Sequence, residues 1–263
     1  MGRTLCLALL GFSALVASCQ PAGDDESTSR AASSAPALPD EMVWAWRRPE
    51  TLTFLDVERT GVAAWMATVR LHGDELSVEA REWPLRVAQD AYLAFVVRIE
   101  SSLDQPPTLS EESRNDLTAL LAELVQESGW PELQIDFDAR RSERSFYREL
   151  LADLRVALPG VRLSITGLLS WCWESDFLGS LEIDEVVPMI YRLGPERARY
   201  RERLASSGLD DAPVCQSAIG VSSDEPIPSF RHGGRRYLFH HEAWDDARYR
   251  EQAERARSAL ASP

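Results

Sequence analysis

The stretch LQIDFDARRSERSFYRELLADLRVALPGVRLSITGLL, residues 133–169, decides the fold. Its first residues alternate, with Leu133, Ile135 and Phe137 on one face of a strand and Gln134, Asp136 and Asp138 on the other. The period then changes. Phe146, Leu150, Leu151, Leu154 and Leu158 recur at helical spacing, Pro159-Gly160 ends the helix, and Val161 to Leu169 resumes as strand. Strand, helix and strand within about 30 residues make a unit whose strands run parallel, because a helical crossover returns the chain to the same end of the sheet.

The pattern repeats on both sides. Tyr92 to Glu100 (YLAFVVRIE) is β-rich, and Ser110 opens a helix with Leu117, Leu120, Leu121, Leu124 and Val125 on one face, which Gly129 stops. Further strands are predicted at Asp184 to Tyr191, Val214 to Val221 and Arg236 to His240, with helices at Glu196 to Ser206 and Trp244 to Ala261. Val43 to Trp46 and one strand from the Leu52 to Arg70 region bring the count to roughly eight, which predicts an α/β fold of the (β/α)₈ TIM-barrel type. The N-terminal part is expected to be irregular, since Trp65 to Leu71 and Leu76 to Glu82 read as a hairpin about His72-Gly73-Asp74. An open doubly wound sheet is the alternative.

The first residues carry one charge, Arg3, then an apolar run from Leu5 to Ala17 that is too short to span a bilayer. Residues 1–18 read as a signal peptide. Val16-Ala17-Ser18-Cys19 resembles the bacterial lipobox, which implies lipidation of Cys19, with ordinary secretion as the alternative. Residues 19–40, rich in Ser, Ala, Pro, Asp and Glu, read as a disordered tether, and residues 41–263 as one domain. The expected location is the cell envelope, lipid-anchored, with Gln20 favouring the outer membrane.

A formal charge of −14 makes nucleic acid an improbable partner. The sequence holds no lysine, so its 28 basic residues are arginines, which excludes Schiff-base chemistry and a P-loop lysine. Cys172 follows a strand and Cys215 opens one, so they are expected at opposite ends of the barrel, unpaired. No nucleotide loop, paired CxxC or Ser-His-Asp signature is present, and no cofactor is expected. His240-His241-Glu242 is a poor zinc site if its histidines lie on a strand, where neighbours point to opposite faces.

In a barrel the polar face of LQIDFDA turns to the lumen, and carboxylates at the C-terminal strand ends are where catalysis resides. Two aspartates about 7 Å apart along a strand repel each other, which leaves a proton donor beside an anion, the pairing that glycosidic cleavage requires. Ion pairing with Arg98 or Arg140 is the competing reading of Asp136 and Asp138, and a calcium or magnesium site a weaker third. Glu174, Asp176 and Glu185 are further acid candidates. Gln134, Arg98, Glu100, Trp171, Trp173, Met189 and Tyr191 are candidate substrate contacts, the aromatics as platforms for sugar rings.

The segments LQIDFDARRSERSFYRELLADLR, LSITGLLSWC and IDEVVPMIYRLG resemble a bacterial domain family of unknown function found in predicted lipoproteins. More distantly, IDFD and Met189-x-Tyr191 resemble chitinase-type glycoside hydrolase barrels. That resemblance implies carbohydrate as ligand and matches Asp136, Asp138, Met189 and Tyr191; two residues after Asp138, where that class carries its acid glutamate, stands Arg140. Two functions follow as expectations: an exported glycoside-hydrolase-like barrel that cleaves or binds carbohydrate, or a non-catalytic envelope scaffold on a degenerate barrel.

Overall fold

A computed structural model describes residues 38–261; the expected signal segment, Cys19 and nearly all of the tether lie outside them. In chain order the elements are β1 (Glu41–Ala45), β2 (Glu50–Leu52), β3 (Thr60–His72), β4 (Glu75–Ala80), β5 (Leu85–Val87), β6 (Leu93–Ser101), α1 (Glu111–Ser128), β7 (Glu132–Asp136), α2 (Arg144–Ala157), β8 (Arg162–Leu168), β9 (Glu185–Met189), α3 (Arg197–Ser207), β10 (Ala218–Ser222), β11 (Arg235–Phe239) and α4 (Asp246–Leu260). Eight strands, β1, β3 and β6 to β11, run parallel, and β1 pairs with both β3 and β11. The sheet therefore closes into a (β/α)₈-type barrel, and the open-sheet alternative is excluded. Among the described residues, no helix is long and apolar enough to cross a membrane.

Local chemistry explains the elements. Ser110 caps α1 by accepting the Ser113 amide at 3.1 Å, and Gly129, at φ 66°, ends it in the left-handed region that costs glycine little. On α2 the buried stripe is Phe146, Tyr147, Leu150, Leu151 and Leu154, packed over the outer face of the strands. Inside, large side chains sit against small ones: in register, Met42 on β1 lies beside Gly61 on β3, and Trp44 beside Ala63. Gly220 on β10 leaves room for Phe239, whose ring would lie 3.1 Å from an added Cβ.

The N-terminal irregularity has a simple form. One thirteen-residue strand, β3, is both barrel strand and hairpin arm: its lower half pairs with β1, and past a bulge at Met66 its upper half pairs with β4 while β6 follows it throughout. A two-stranded sheet of β2 and β5 takes the place of helices beside it.

Two expectations are corrected. The strand predicted from Val214 begins only at Ala218, because Pro213–Cys215 forms a 3-10 turn. Cys172 and Cys215 are joined by a disulfide, with Cα atoms 5.9 Å apart. No α-helix bridges β8 and β9. The 3-10 turn Leu169–Cys172 instead carries Cys172 back over β9, against which the turn holding Cys215 also packs. The two turns thus bring together cysteines that strand position alone would keep apart.

Candidate active site

The lower lumen is filled and the upper lumen is open. At the N-terminal end, Glu132 and Glu185 are buried with Arg235, which approaches Glu185 at 3.1 Å and Glu132 at 3.4 Å. Tyr92 donates to Glu132 at 2.8 Å and Tyr237 to Glu185 at 2.8 Å. Ser164 donates to Glu132 at 2.6 Å and accepts from Gln134 at 3.0 Å. Most of the plug's polar groups pair with one another, as burial demands, while Gln134 Oε1 and Arg235 Nε and Nη2 have no hydrogen-bond partner among the described residues. Above it lies a cavity of about 690 Å³ at the C-terminal mouth.

Asp136 and Asp138 both line that cavity, in contrasting surroundings. Asp136, almost fully buried, accepts Arg98 Nη1 at 2.7 Å on one oxygen and Thr166 Oγ1 at 2.6 Å on the other. Asp138 is exposed to the cavity and has neither hydrogen-bond nor ion-pair partner among the described residues. Protein walls surround it on most sides even so. Their desolvation, first, and the Asp136 charge, second, raise its pKa above the ordinary carboxylate value, against the opposing pull of Arg98. Of the two ion pairs weighed for these aspartates, the one with Arg98 forms at Asp136. Arg140 turns away to the Ser101 carbonyl at 3.3 Å and to Glu143 at 3.7 Å.

One wall is aromatic. Trp44 stacks on Phe239 at 4.7 Å with 30° between the planes, Trp46 lies 5.4 Å from Trp44, and Tyr191 lies 5.1 Å from Phe239. Arg48, clamped to Glu50, donates to the backbone carbonyls of His240, His241 and Glu242 and so ties the β1 rim to the β11 rim. His240 and His241 lie beyond the strand end with rings stacked at 4.8 Å, rather than on opposite faces, and His241 Nδ1 is 2.7 Å from Asp224. Tyr200 also lines the mouth.

The remaining candidates are dispersed. Met189, Tyr191 and Arg98 line the cavity with the two aspartates; Gln134 lies below it in the plug, and Glu185 shares the lumen face of β9 at its far, N-terminal end. Glu100 stands outside, paired with Arg98 at 2.9 Å and Arg70 at 3.2 Å. Glu174 is held by Arg144 at 3.3 Å and Asp176 faces solvent, both off the cavity. Trp171 is buried edge-on against Phe177 in the outer core. Trp173 stacks on the back of Tyr200 at 5.9 Å and is covered by Arg203 at 4.3 Å, so it braces a cavity residue without facing the cavity. Trp44, Trp46, Tyr200 and Phe239 escaped the sequence reading; the only signal for them is the Trp-x-Trp alternation ending β1.

No protein-family model matches the chain, nor does any curated protein. Among solved structures, the chain is similar to a fungal endo-β-N-acetylglucosaminidase from glycosyl hydrolase family 18, at 9% identity over 86% of this chain and 89% of that one, with a TM-score of 0.49.

Proposed function

We propose that this barrel takes a glycan into its C-terminal mouth and hydrolyses a glycosidic bond there, with Asp138 as proton donor and Asp136 as the fixed carboxylate beside the reacting sugar. The observation that carries the reading is the contrast between the two aspartates: one is bound on both oxygens, the other has no partner among the described residues, is open to the cavity and is raised in proton affinity. Glycosidic cleavage needs a proton delivered to the departing oxygen while positive charge develops on the ring. A carboxyl whose proton affinity is raised suits the first need, and a neighbouring carboxylate answers the second. With Arg140 turned aside and Glu174, Asp176 and Glu185 off the cavity, Asp138 itself takes the acid's place. Rings such as those of Trp46 and Tyr200 suit the apolar faces of sugars. Lipidation at Cys19 would put the site in the cell envelope, where glycans are at hand.

A polysaccharide panel, read by release of reducing ends and by calorimetric binding, tests this. Wild type should release ends from at least one glycan, and Asp138→Asn should lose about 100-fold or more of that rate while still binding. Binding without release in the wild type would favour the scaffold alternative, and neither binding nor release across the panel would remove the reading.

A further inference from the structure

From the exposed hairpin to the floor of the cavity runs an unbroken series of opposite charges. Arg47 contacts Glu79; Glu79 pairs with Arg70 at 2.9 Å; Arg70 pairs with Glu100 at 3.2 Å; Glu100 pairs with Arg98 at 2.9 Å; and Arg98 pairs with Asp136 at 2.7 Å. Sheet register builds it, since Arg70 lies directly beside Glu100 in the β3–β6 pairing and Arg98 directly beside Asp136 in the β6–β7 pairing. Arg98 is held from two sides: Nε donates to Glu100 and Nη1 to Asp136. Its planar fork fixes both directions at once, so where Glu100 stands decides where the charge beside the aspartates stands.

We infer that Glu100 and Arg70 are positioning residues that act through Arg98 on the two aspartates, so that the charge pattern of the β3–β4 hairpin sets when Asp138 keeps its proton. This rests on the reading of Asp138 as the proton donor. The groups whose charge acts on Asp138 are Asp136 on β7, Arg98 on β6, Tyr147 on α2 and Tyr191 on β9, while Arg48, Arg192, Glu196, Asp224, His240 and His241 line the rest of the same cavity. Tyr147 and Tyr191 are themselves pushed well above the ordinary tyrosine value by burial, so both stay neutral across the working range. Arg98 is therefore the one cation of the four, and it is the one the chain of pairs controls. Glu100 draws part of its field away from the cavity, and Arg70 in turn occupies Glu100.

The signs follow. Glu100→Gln frees Arg98 to favour ionised Asp138, which lowers its pKa. Arg70→Gln leaves Glu100 free to draw more strongly on Arg98, which raises it. Carbon-13 carboxyl titration of the full chain without any glycan reads both, with the Asp138 resonance identified by its loss in Asp138→Asn. Each shift should be about half a pH unit, the effect of one charge across roughly 10 Å in a half-hydrated site. In the double variant the Arg70→Gln effect should fall to less than about a third of its single-variant size, because the group through which it acts is gone. Shifts of the same sign, no shift, or a double variant equal to the sum of the singles would overturn the inference. Should Glu100→Gln fail to fold, Arg70→Gln and the outer Glu79→Gln carry the sign test, upward and downward in turn. The titration needs no substrate, so its result stands apart from the glycan assay.

Discussion

Two aspartates two residues apart, Asp136 and Asp138, should answer the same substitution in opposite ways. Asp138 has its pKa raised by desolvation and by Asp136. Folding therefore favours its protonated form, and the stability so gained is full below the ordinary carboxylate value and is lost as pH rises through the raised one. Asp138→Asn cannot ionise, so near pH 7 it should be at least as stable as the native chain, with the difference vanishing at about pH 3. Asp136→Asn instead leaves Arg98 without one of its two acceptors and should cost about 2 kcal/mol, since Arg98 keeps Glu100 and some water. Urea midpoints at the two pH values measure both, and equal losses at pH 7 would show the aspartates to be equivalent. Strand alternation was enough to place Asp136, Asp138, Met189 and Tyr191 on the lumen side. It could not place Glu185, which has the same parity, because parity gives a face and not a height, and the stagger of barrel strands sets the height. Trp44 and Trp46 were hidden for a related reason: an apolar ring reads as core wherever it lies.

At the level of elements, helices with a clear period were legible almost to their caps, as with α1 between Ser110 and Gly129. The segment between β8 and β9 has no period, and there the sequence reading failed. Two 3-10 turns, Leu169–Cys172 and Ser175–Ser180, cover the barrel in place of a helix, and they lack the regular backbone ladder that would hold them. The disulfide to Cys215 supplies that restraint by closing a loop of 43 residues. The chain-entropy relation gives about 4 kcal/mol for such a loop, so Cys172→Ser with Cys215→Ser should lower stability by up to that amount. Thermal melts with and without reductant measure it; melts that coincide would mean the turns are held by packing alone. Trp173 follows Cys172 directly and stacks on Tyr200, so the rim of the mouth should loosen before the barrel melts.

For the whole molecule, the expected anchor is the prediction that reaches furthest from the barrel. If Cys19 is lipidated, wild type fractionates with membranes and Cys19→Ala moves to the soluble fraction; equal partition of the two would refute the anchor. The barrel itself has one seam. β1 is held on one side by β3, which follows it closely in the chain after the short β2, and on the other by β11, almost 200 residues later: the register joins Glu41 to Arg236 and Val43 to Leu238. Each flank of β1 therefore waits on a different part of the chain. Until β11 arrives, β1 offers a row of open amides and carbonyls to any passing strand, and the lumen beneath it is a trough. Such long-range closure is slow, because the entropy of a large loop is lost before the contact that rewards it is made. A chain delivered N-terminus first must thus keep β1 unfinished until β11, the last of the described strands, appears, which makes folding of this barrel a race between its own far end and its neighbours in the crowd.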